Sequence, residues 1–188
     1  MQNCDAIILA GGLSSRMGRC KAELMFNGKS FLDIQIDKML SLGIGRIMVS
    51  GYESKRSEVI CVKDNYSKMG PLAGIQSCLQ QAYSEDCLVI GVDIPLIKEE
   101  QISALLEIHF NSGADVTLLK TSKGDLEPVI GVYKKKLEPK ARLLLDKGHS
   151  CILDLFEGIK LETLVCDEDK LCMNVNTPEE YDKLYMPG

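Results

Sequence analysis

A short apolar run followed directly by a glycine pair constrains this chain more than any other stretch. Ala6–Ala10 is unbroken and includes two isoleucines, which is typical of a strand covered on both faces of a sheet. Gly11 and Gly12 follow at once, and glycine lets the backbone turn sharply and approach a ligand with no Cβ in the way. The stretch predicts a buried strand that ends in a tight loop open to a ligand.

The segment after the glycines carries groups that bind anions. The serines and the glycine of residues 14–18, with the backbone N–H groups between them, can surround phosphate oxygens. Arg16 and Lys21 bring two cations to the same segment. We therefore interpret residues 9–21 as a phosphate-binding loop.

Short apolar runs alternate with helical stretches along the chain, a pattern that indicates βαβ units around a parallel sheet. The predicted strands are Ala6–Ala10, Arg46–Ser50, Glu58–Val62, Cys87–Val92, Asp115–Lys120 and Val129–Tyr133. Helices are predicted at Phe31–Leu42 after a Ser30 cap, at Gly74–Tyr83, at Glu99–Asn111, and from Thr177-Pro178-Glu179-Glu180 onward. We expect one α/β domain over residues 1–188, with an open, mainly parallel, Rossmann-like sheet and helices on both faces.

Composition narrows the class of partner. The 188 residues are 45% hydrophobic, enough for one well-buried domain, and the net charge of -5 without a basic cluster argues against nucleic acid or a membrane surface. Neither a bilayer-spanning run nor a signal peptide is present, and the eight cysteines form no C-x-x-C pair. We expect reduced cysteines, a cytoplasmic protein and small-molecule ligands. His109 and His149 are isolated, and we interpret both as surface or helix-end residues.

A carboxylate follows one of the predicted buried strands. In Gly91-Val92-Asp93-Ile94-Pro95, Asp93 stands where the strand ends and a proline turns the chain away. Mg²⁺ prefers one or two carboxylates together with phosphate oxygens and water, so Asp93 beside a phosphate-binding loop is a candidate magnesium ligand. The alternative is that Asp93 only caps the following turn.

Several segments resemble, in order, the nucleotidyltransferases that attach GMP or CMP to the molybdenum cofactor, and more loosely the sugar-phosphate nucleotidyltransferases. The matching segments are Leu9-Ala10-Gly11-Gly12, Ser15-Arg16-Met17-Gly18, Lys21-Ala22 with Leu24, Gly70-Pro71-Leu72-Ala73-Gly74, Asp93-Ile94-Pro95, Glu127–Tyr133 and Asn174-Val175-Asn176-Thr177-Pro178. The family commonly has aspartate before the lysine, where this chain has Cys20. The resemblance implies a fold of the nucleotide-diphospho-sugar transferase type.

The resemblance also implies roles for individual residues. Arg16, Lys21 and Asp93 would be catalytic, with Asp93 holding Mg²⁺. Nucleotide contacts would come from Leu9, Ala10, Gly11, Gly12, Arg16, Lys21, Asp64, Gly70 and Asp93.

Base recognition and the acceptor side are less defined. Asp64 could accept two hydrogen bonds from guanine, although acidic loop residues are more often only solvated. The family often has an asparagine after the second strand, where this chain has Ser50-Gly51-Tyr52. Asn174 and Asn176 would lie on the acceptor or phosphate side, with helix capping as the alternative.

The expected reaction is transfer of GMP from GTP to the terminal phosphate of a pterin cofactor, with release of pyrophosphate. Rival predictions are a cytidylyltransferase for the same cofactor and a nucleotidyltransferase for a sugar or polyol phosphate. A non-enzymatic nucleotide-sensing module is a third. The ligands would be GTP, a pterin phosphate and Mg²⁺, with transient contact to proteins of cofactor biosynthesis or to apoenzymes.

Overall fold

The computed structural model of this chain describes residues 3–11 and 20–185. The strands are β1 (Cys4–Leu9), β2 (Met25–Phe26), β3 (Lys29–Ser30), β4 (Ile47–Ser50), β5 (Val59–Val62), β6 (Asp86–Gly91), β7 (Val116–Lys120), β8 (Leu126–Lys134) and β9 (Leu161–Val165). The helices are α1 (Phe31–Ser41), α2 (Gly70–Gln81), α3 (Glu99–Ser112), α4 (Glu138–Asp146) and α5 (Pro178–Lys183). Short 3-10 helices lie at Lys21–Glu23, Lys135–Leu137, Ile152–Phe156 and Asp169–Cys172.

Seven strands form one mixed sheet in the order β5-β4-β1-β6-β8-β7-β9, and β2 with β3 makes a separate small hairpin. Strand β1 is parallel to both β4 and β6, whereas β8 is antiparallel to β6 and β7. The connection from β7 to β8 is a tight turn in which Gly124 N–H donates to the Thr121 carbonyl. Such a short connection permits only an antiparallel pair. The predicted open, mainly parallel α/β sheet is confirmed.

Helices cover both faces of this sheet, as predicted, because alternate residues of the central strands point to opposite sides. Ile8 of β1 packs with Phe31 and Ile36 of α1 and with residues of α3. Its neighbour Ile7 packs on the other face, with Ile75 of α2 and residues of α4. Strand β1 is therefore buried on both sides, which explains why its sequence is an unbroken apolar run.

The predicted helix starts are confirmed at two places. Ser30 caps α1, since its hydroxyl accepts a hydrogen bond from Asp33 N–H. Thr177 caps α5 through a reciprocal capping box with Glu180. Helix α2, however, begins at Gly70 rather than at Gly74, because the proline that follows Gly70 is already in a helical conformation suited to the first turn.

The surface interpretation of His109 is wrong. This residue lies in the last turn of α3, as a helix-end residue would, but its side chain is completely buried. His109 Nε2 lies 2.9 Å from Asp86 Oδ1, and His109 Nδ1 lies 2.9 Å from Thr117 Oγ1. His149 is exposed.

Within residues 3–11 and 20–185, none of the helices has both the length and the apolar character needed to cross a bilayer. All eight cysteines lie in these ranges and are free thiols, none of them in a disulfide bond.

Candidate active site

A cleft of about 820 Å³ opens where β1, β4 and β6 reach their carboxyl ends. Ligands of open α/β sheets bind at this edge. All of the predicted site residues that the structure describes line this cleft, namely Leu9, Ala10, Gly11, Lys21, Asp64, Gly70, Asp93, Asn174 and Asn176. Gly12 and Arg16 lie outside the described residues.

Gly11 lines the cleft, and Gly51 packs directly against it from behind; we call this pair the glycine floor. Gly51 has φ +75°, and a Cβ built there would lie 2.5 Å from Gly11 Cα and 2.9 Å from Gly11 N. A side chain at Gly51 would be strained and would also collide with the backbone of Gly11. The two glycines bring the ends of β1 and β4 into direct contact and leave the space above them open.

The backbone hydrogen bonds of the sheet continue past the last residue of β1, to Ala10. Ala10 N–H donates to the Ser50 carbonyl at 3.0 Å, and the Leu9 carbonyl accepts from Val92 N–H at 3.0 Å. The expected nucleotide contact of Ala10 cannot use its N–H group, because that group already has a partner. Any backbone cradle must begin after Ala10.

Three predicted polar residues meet at one side of the cleft. Lys21 Nζ lies 2.6 Å from Asp93 Oδ2 and 2.5 Å from Asn176 Oδ1. Asn176 is held in place because its backbone N–H donates to Glu180 Oε2 at 2.7 Å, within the capping box of α5. Asn176 is thus not the cap of α5, which is Thr177, and its side-chain oxygen faces Lys21.

The turn that carries Asp93 is held by residues that the sequence did not single out. Val175 N–H donates to the Asp93 carbonyl at 2.9 Å. From α1, the fully buried Gln35 donates to the Ile94 carbonyl at 2.7 Å, and Lys38 donates to the Pro95 carbonyl at 2.7 Å. Burial lowers the pKa of Lys38 to about 8.

A signal for Gln35 does exist in the sequence. It stands three residues after Leu32 and four before Met39, so a polar amide occupies the apolar face of α1. A buried amide needs partners, and the nearest carbonyls belong to the turn after β6.

The Asp93 carboxylate is a suitable ligand for a magnesium ion that is also bound by phosphate oxygens. Oδ2 of Asp93 contacts Lys21, while Oδ1 lies 2.7 Å from the position a Cβ would take at Gly91, so only glycine leaves room for it. No cluster of three or more His, Cys, Asp or Glu side chains suited to a metal occurs in the described part of the chain. One carboxylate is nevertheless sufficient when a triphosphate supplies the other oxygens.

Asp64 reaches the same cleft from the loop after β5. Its Oδ1 accepts a hydrogen bond from Ser50 Oγ at 2.6 Å, and its Oδ2 lies near the Gly11–Gly51 floor. The next residue is also anchored, since Asn65 N–H donates to Ser77 Oγ at 2.9 Å. Ser50, in the segment where the family often has an asparagine, contacts the carboxylate predicted to bind the base.

Asn174 lies on the other side of the cleft, next to β8. Its Nδ2 donates to Glu127 Oε2 at 3.3 Å. Burial raises the pKa of Glu127, and the negative charges of Asp125 and Asp93 raise it further. The hydrogen bond from Asn174 lowers this pKa but does not outweigh the other effects. The sequence had placed Glu127 in a matching segment without assigning it a role.

The sheet, its glycine floor and the lysine–carboxylate pair at the carboxyl edge together define a nucleotide-binding α/β enzyme. Comparison with known proteins gives the family. Residues 6–162 match the MobA-like NTP transferase domain, and the chain belongs to that family of nucleotidyltransferases.

Relatives and solved structures agree with this assignment. The chain is 31% identical over 192 residues to a probable molybdenum cofactor guanylyltransferase of Carboxydothermus hydrogenoformans, covering 98% of the chain and 96% of the relative. It is 28% identical to the molybdenum cofactor guanylyltransferase of Campylobacter jejuni strain RM1221, with 97% and 96% covered. The crystal structure of molybdopterin-guanine dinucleotide biosynthesis protein A from Archaeoglobus fulgidus superposes with a TM-score of 0.80 at 22% identity, covering 95% of each chain. That structural match shows the shared fold.

Proposed function

We propose that this enzyme transfers GMP from GTP to the terminal phosphate of molybdopterin and releases pyrophosphate. The main support for the proposal is a contact at the cleft: Lys21 Nζ lies 2.6 Å from Asp93 Oδ2 and 2.5 Å from Asn176 Oδ1. Its support from comparison is the similarity, over nearly the whole chain, to proteins named as guanylyltransferases.

The acceptor phosphate itself is the nucleophile in this proposal. The second pKa of a phosphate monoester is about 6, so the group is already anionic near neutral pH and needs no general base. Catalysis then depends on positioning the two phosphates in line and on offsetting their negative charge. No side chain has to remove a proton from the acceptor.

Lys21 is the proposed cation for the triphosphate, and Arg16, which precedes it in the sequence, is proposed as a second one. Its ammonium already faces two oxygen acceptors, so phosphate oxygens can replace them at the same donor. Asp93 is the proposed ligand of Mg²⁺, which when bound neutralises charge on the α-phosphate and makes its phosphorus more electrophilic. Asn176 would keep Lys21 oriented while Asp93 turns to the metal.

The remaining cleft residues divide between the base and the acceptor. Asp64 is the proposed partner of guanine N1–H and the 2-amino group, and cytosine offers only one amine to the same carboxylate. Gly70 opens helix α2 at the cleft with φ +68°, a left-handed conformation that favours glycine. Asn174 is proposed to face the acceptor phosphate.

The test is a product assay. The protein is incubated with Mg²⁺, molybdopterin and one of GTP, CTP, ATP or UTP, and both pyrophosphate and the pterin dinucleotide are measured by mass spectrometry. We expect product with GTP. A product with CTP alone would identify a cytidylyltransferase, and turnover only with a sugar or polyol phosphate would replace the acceptor. GTP binding without pyrophosphate release would indicate a nucleotide sensor.

A further inference from the structure

We infer that Ser50 is a positioning residue for base selection, because its hydroxyl holds the Asp64 carboxylate in the orientation that meets the base. This inference deepens the proposed function and rests on it. Ser50 Oγ donates to Asp64 Oδ1 at 2.6 Å, the usual length of a charge-assisted hydroxyl–carboxylate hydrogen bond. The other carboxylate oxygen, Oδ2, is left toward the glycine floor of the cleft.

The backbone of Ser50 cannot shift to follow a ligand. It is the last residue of β4, paired in register with Leu9 of β1 and Val62 of β5. Its carbonyl accepts from Ala10 N–H, and only 2% of the residue is exposed. The hydroxyl is therefore presented from a fixed point of the sheet.

Helix α2 closes the space around the hydroxyl from the other side. A Cβ built at Gly74 would lie 2.9 Å from Leu9 Cδ2 and 3.2 Å from Ser50 Cβ, and it would come closer still to Ser50 Oγ. The missing side chain at Gly74 is what allows a serine to point toward Asp64 here. The Ser50 hydroxyl is thus confined between the helix and the carboxylate.

Asp64, in contrast, lies in the loop after β5 and is only partly buried. Without the hydrogen bond from Ser50 its carboxylate could rotate toward solvent, and ordering it again would weaken nucleotide binding. With that bond, Oδ2 and the remaining lone pair of Oδ1 form one fixed acceptor edge. Guanine presents two donors to such an edge, whereas hypoxanthine lacks the 2-amino group.

The experiment measures kcat/KM for GTP and for ITP with molybdopterin as acceptor. The wild type is compared with Ser50→Ala, Asp64→Ala and the double variant. We expect the GTP-to-ITP ratio to fall about tenfold in Asp64→Ala, since a hydrogen bond to a charged acceptor is lost, and to fall about threefold or more in Ser50→Ala. In the Asp64→Ala background, adding Ser50→Ala should not change the ratio further.

Ser84→Ala is the matched control. Ser84 is also buried, and its hydroxyl donates to a carboxylate oxygen, Asp5 Oδ1, at 2.7 Å, but neither residue lines the cleft. Its loss should lower stability and leave the GTP-to-ITP ratio unchanged. A purely structural role of Ser50 would give the same result as this control.

The outcomes distinguish the positioning role of Ser50 from base recognition by Asp64. If Asp64→Ala lowers the ratio and Ser50→Ala does not, the inference about Ser50 is overturned while the proposed base contact stands. If Asp64→Ala leaves the ratio unchanged, base recognition by Asp64 fails and the inference fails with it. A further drop on adding Ser50→Ala to Asp64→Ala would also overturn it, because Ser50 would then act without Asp64.

Ser50→Cys keeps the claim testable if Ser50→Ala does not fold. A thiol is close to a hydroxyl in shape but is only a weak hydrogen-bond donor. The GTP-to-ITP ratio should therefore fall in Ser50→Cys as it does in Ser50→Ala. A Ser50→Cys enzyme that keeps the wild-type ratio would overturn the inference.

Discussion

Lys21 Nζ lies 2.6 Å from Asp93 Oδ2, although the two residues are 72 positions apart in the chain. Their side chains are only 21% and 18% exposed, so each charge offsets much of the cost of burying the other. A bound triphosphate would bring new negative charge to the same ammonium. The contact therefore joins the proposed phosphate-binding cation to the proposed metal ligand before either has met a substrate.

Lys21→Ala should lower turnover about a hundredfold or more. Loss of one preorganised electrostatic contact in an active site commonly costs roughly that much. Stability should fall by roughly 1–3 kcal/mol, because the Asp93 side chain, only 18% exposed, would lose the charge that offsets its burial. Steady-state pyrophosphate release and urea unfolding give the two values. Lys29→Ala is the control, because Lys29 forms an equally short ion pair with Asp37 at the surface. Unchanged turnover in Lys21→Ala would remove this residue from the mechanism.

Asp93→Asn should raise the Mg²⁺ concentration needed for activity and lower the maximal rate. An amide oxygen binds Mg²⁺ more weakly than a carboxylate, but it can still accept the hydrogen bond from Lys21. The fold should persist, because the Asp93 carbonyl keeps its bond from Val175 N–H. Activity is titrated against Mg²⁺ for the wild type and the variant. Full wild-type activity in excess chelator would refute the assignment of Asp93.

Gly51→Ala should destabilise the protein by at least about 1–2 kcal/mol, the usual cost of a left-handed conformation for a residue with a Cβ. The contact of 2.5 Å between that Cβ and Gly11 Cα adds to the cost. Gly45→Ala is the matched control, since no atom lies within 4 Å of a Cβ at Gly45. Chemical denaturation compares the two variants. Equal stability of Gly51→Ala and Gly45→Ala would mean that the backbone at residues 11 and 51 can separate to make room for the methyl group.

The sequence predicted the sheet well because the central strands are buried on both faces. Their apolar runs are continuous, and α1 and α5 begin at caps whose chemistry is local. Strand β9 and helix α4 were missed. The first is an edge strand with exposed ends, Leu161 and Val165, and the second begins with charged residues and proline. Such elements depend on packing rather than on their own pattern.

The polar wall of the cleft was predicted through motifs, whereas its supports were not. Lys21, Asp93 and Asn176 each stood in a recognisable segment, and they do meet. Gln35 contacts the Ile94 carbonyl 59 positions away, and Ser50 contacts Asp64 14 positions away, across strand β5. No local pattern encodes a contact between the end of one strand and the loop after the next.

His109 gives a prediction for stability against pH. Burial lowers its pKa, and the positive charge of Lys134 adds to this, outweighing the Asp86 and Asp115 carboxylates that favour the charged ring. The neutral ring is satisfied, since Nε2–H can donate to Asp86 while Nδ1 accepts from the Thr117 hydroxyl. Protonation would remove that acceptor inside the core.

The direction follows from proton linkage. In the unfolded chain histidine takes up a proton near its ordinary pKa of about 6.5. In the folded protein it does so only at lower pH. Between these two values the unfolded state binds more protons, so the free energy of unfolding should decrease as the pH falls below about 6.5. Above that pH the ring is neutral in both states and contributes no pH dependence.

Urea unfolding of the wild type between pH 7.5 and 5 (roughly the range in which histidine titrates) should show this decrease, and His109→Gln should flatten it. The amide can still bond Asp86 or Thr117 but does not titrate. His149→Gln is the control, because His149 is exposed. Asp86, whose pKa is lowered because its hydrogen bonds from His109 and Lys134 outweigh burial, titrates below this range. A wild-type slope retained in His109→Gln, or lost in His149→Gln, would show that the buried histidine is not its source.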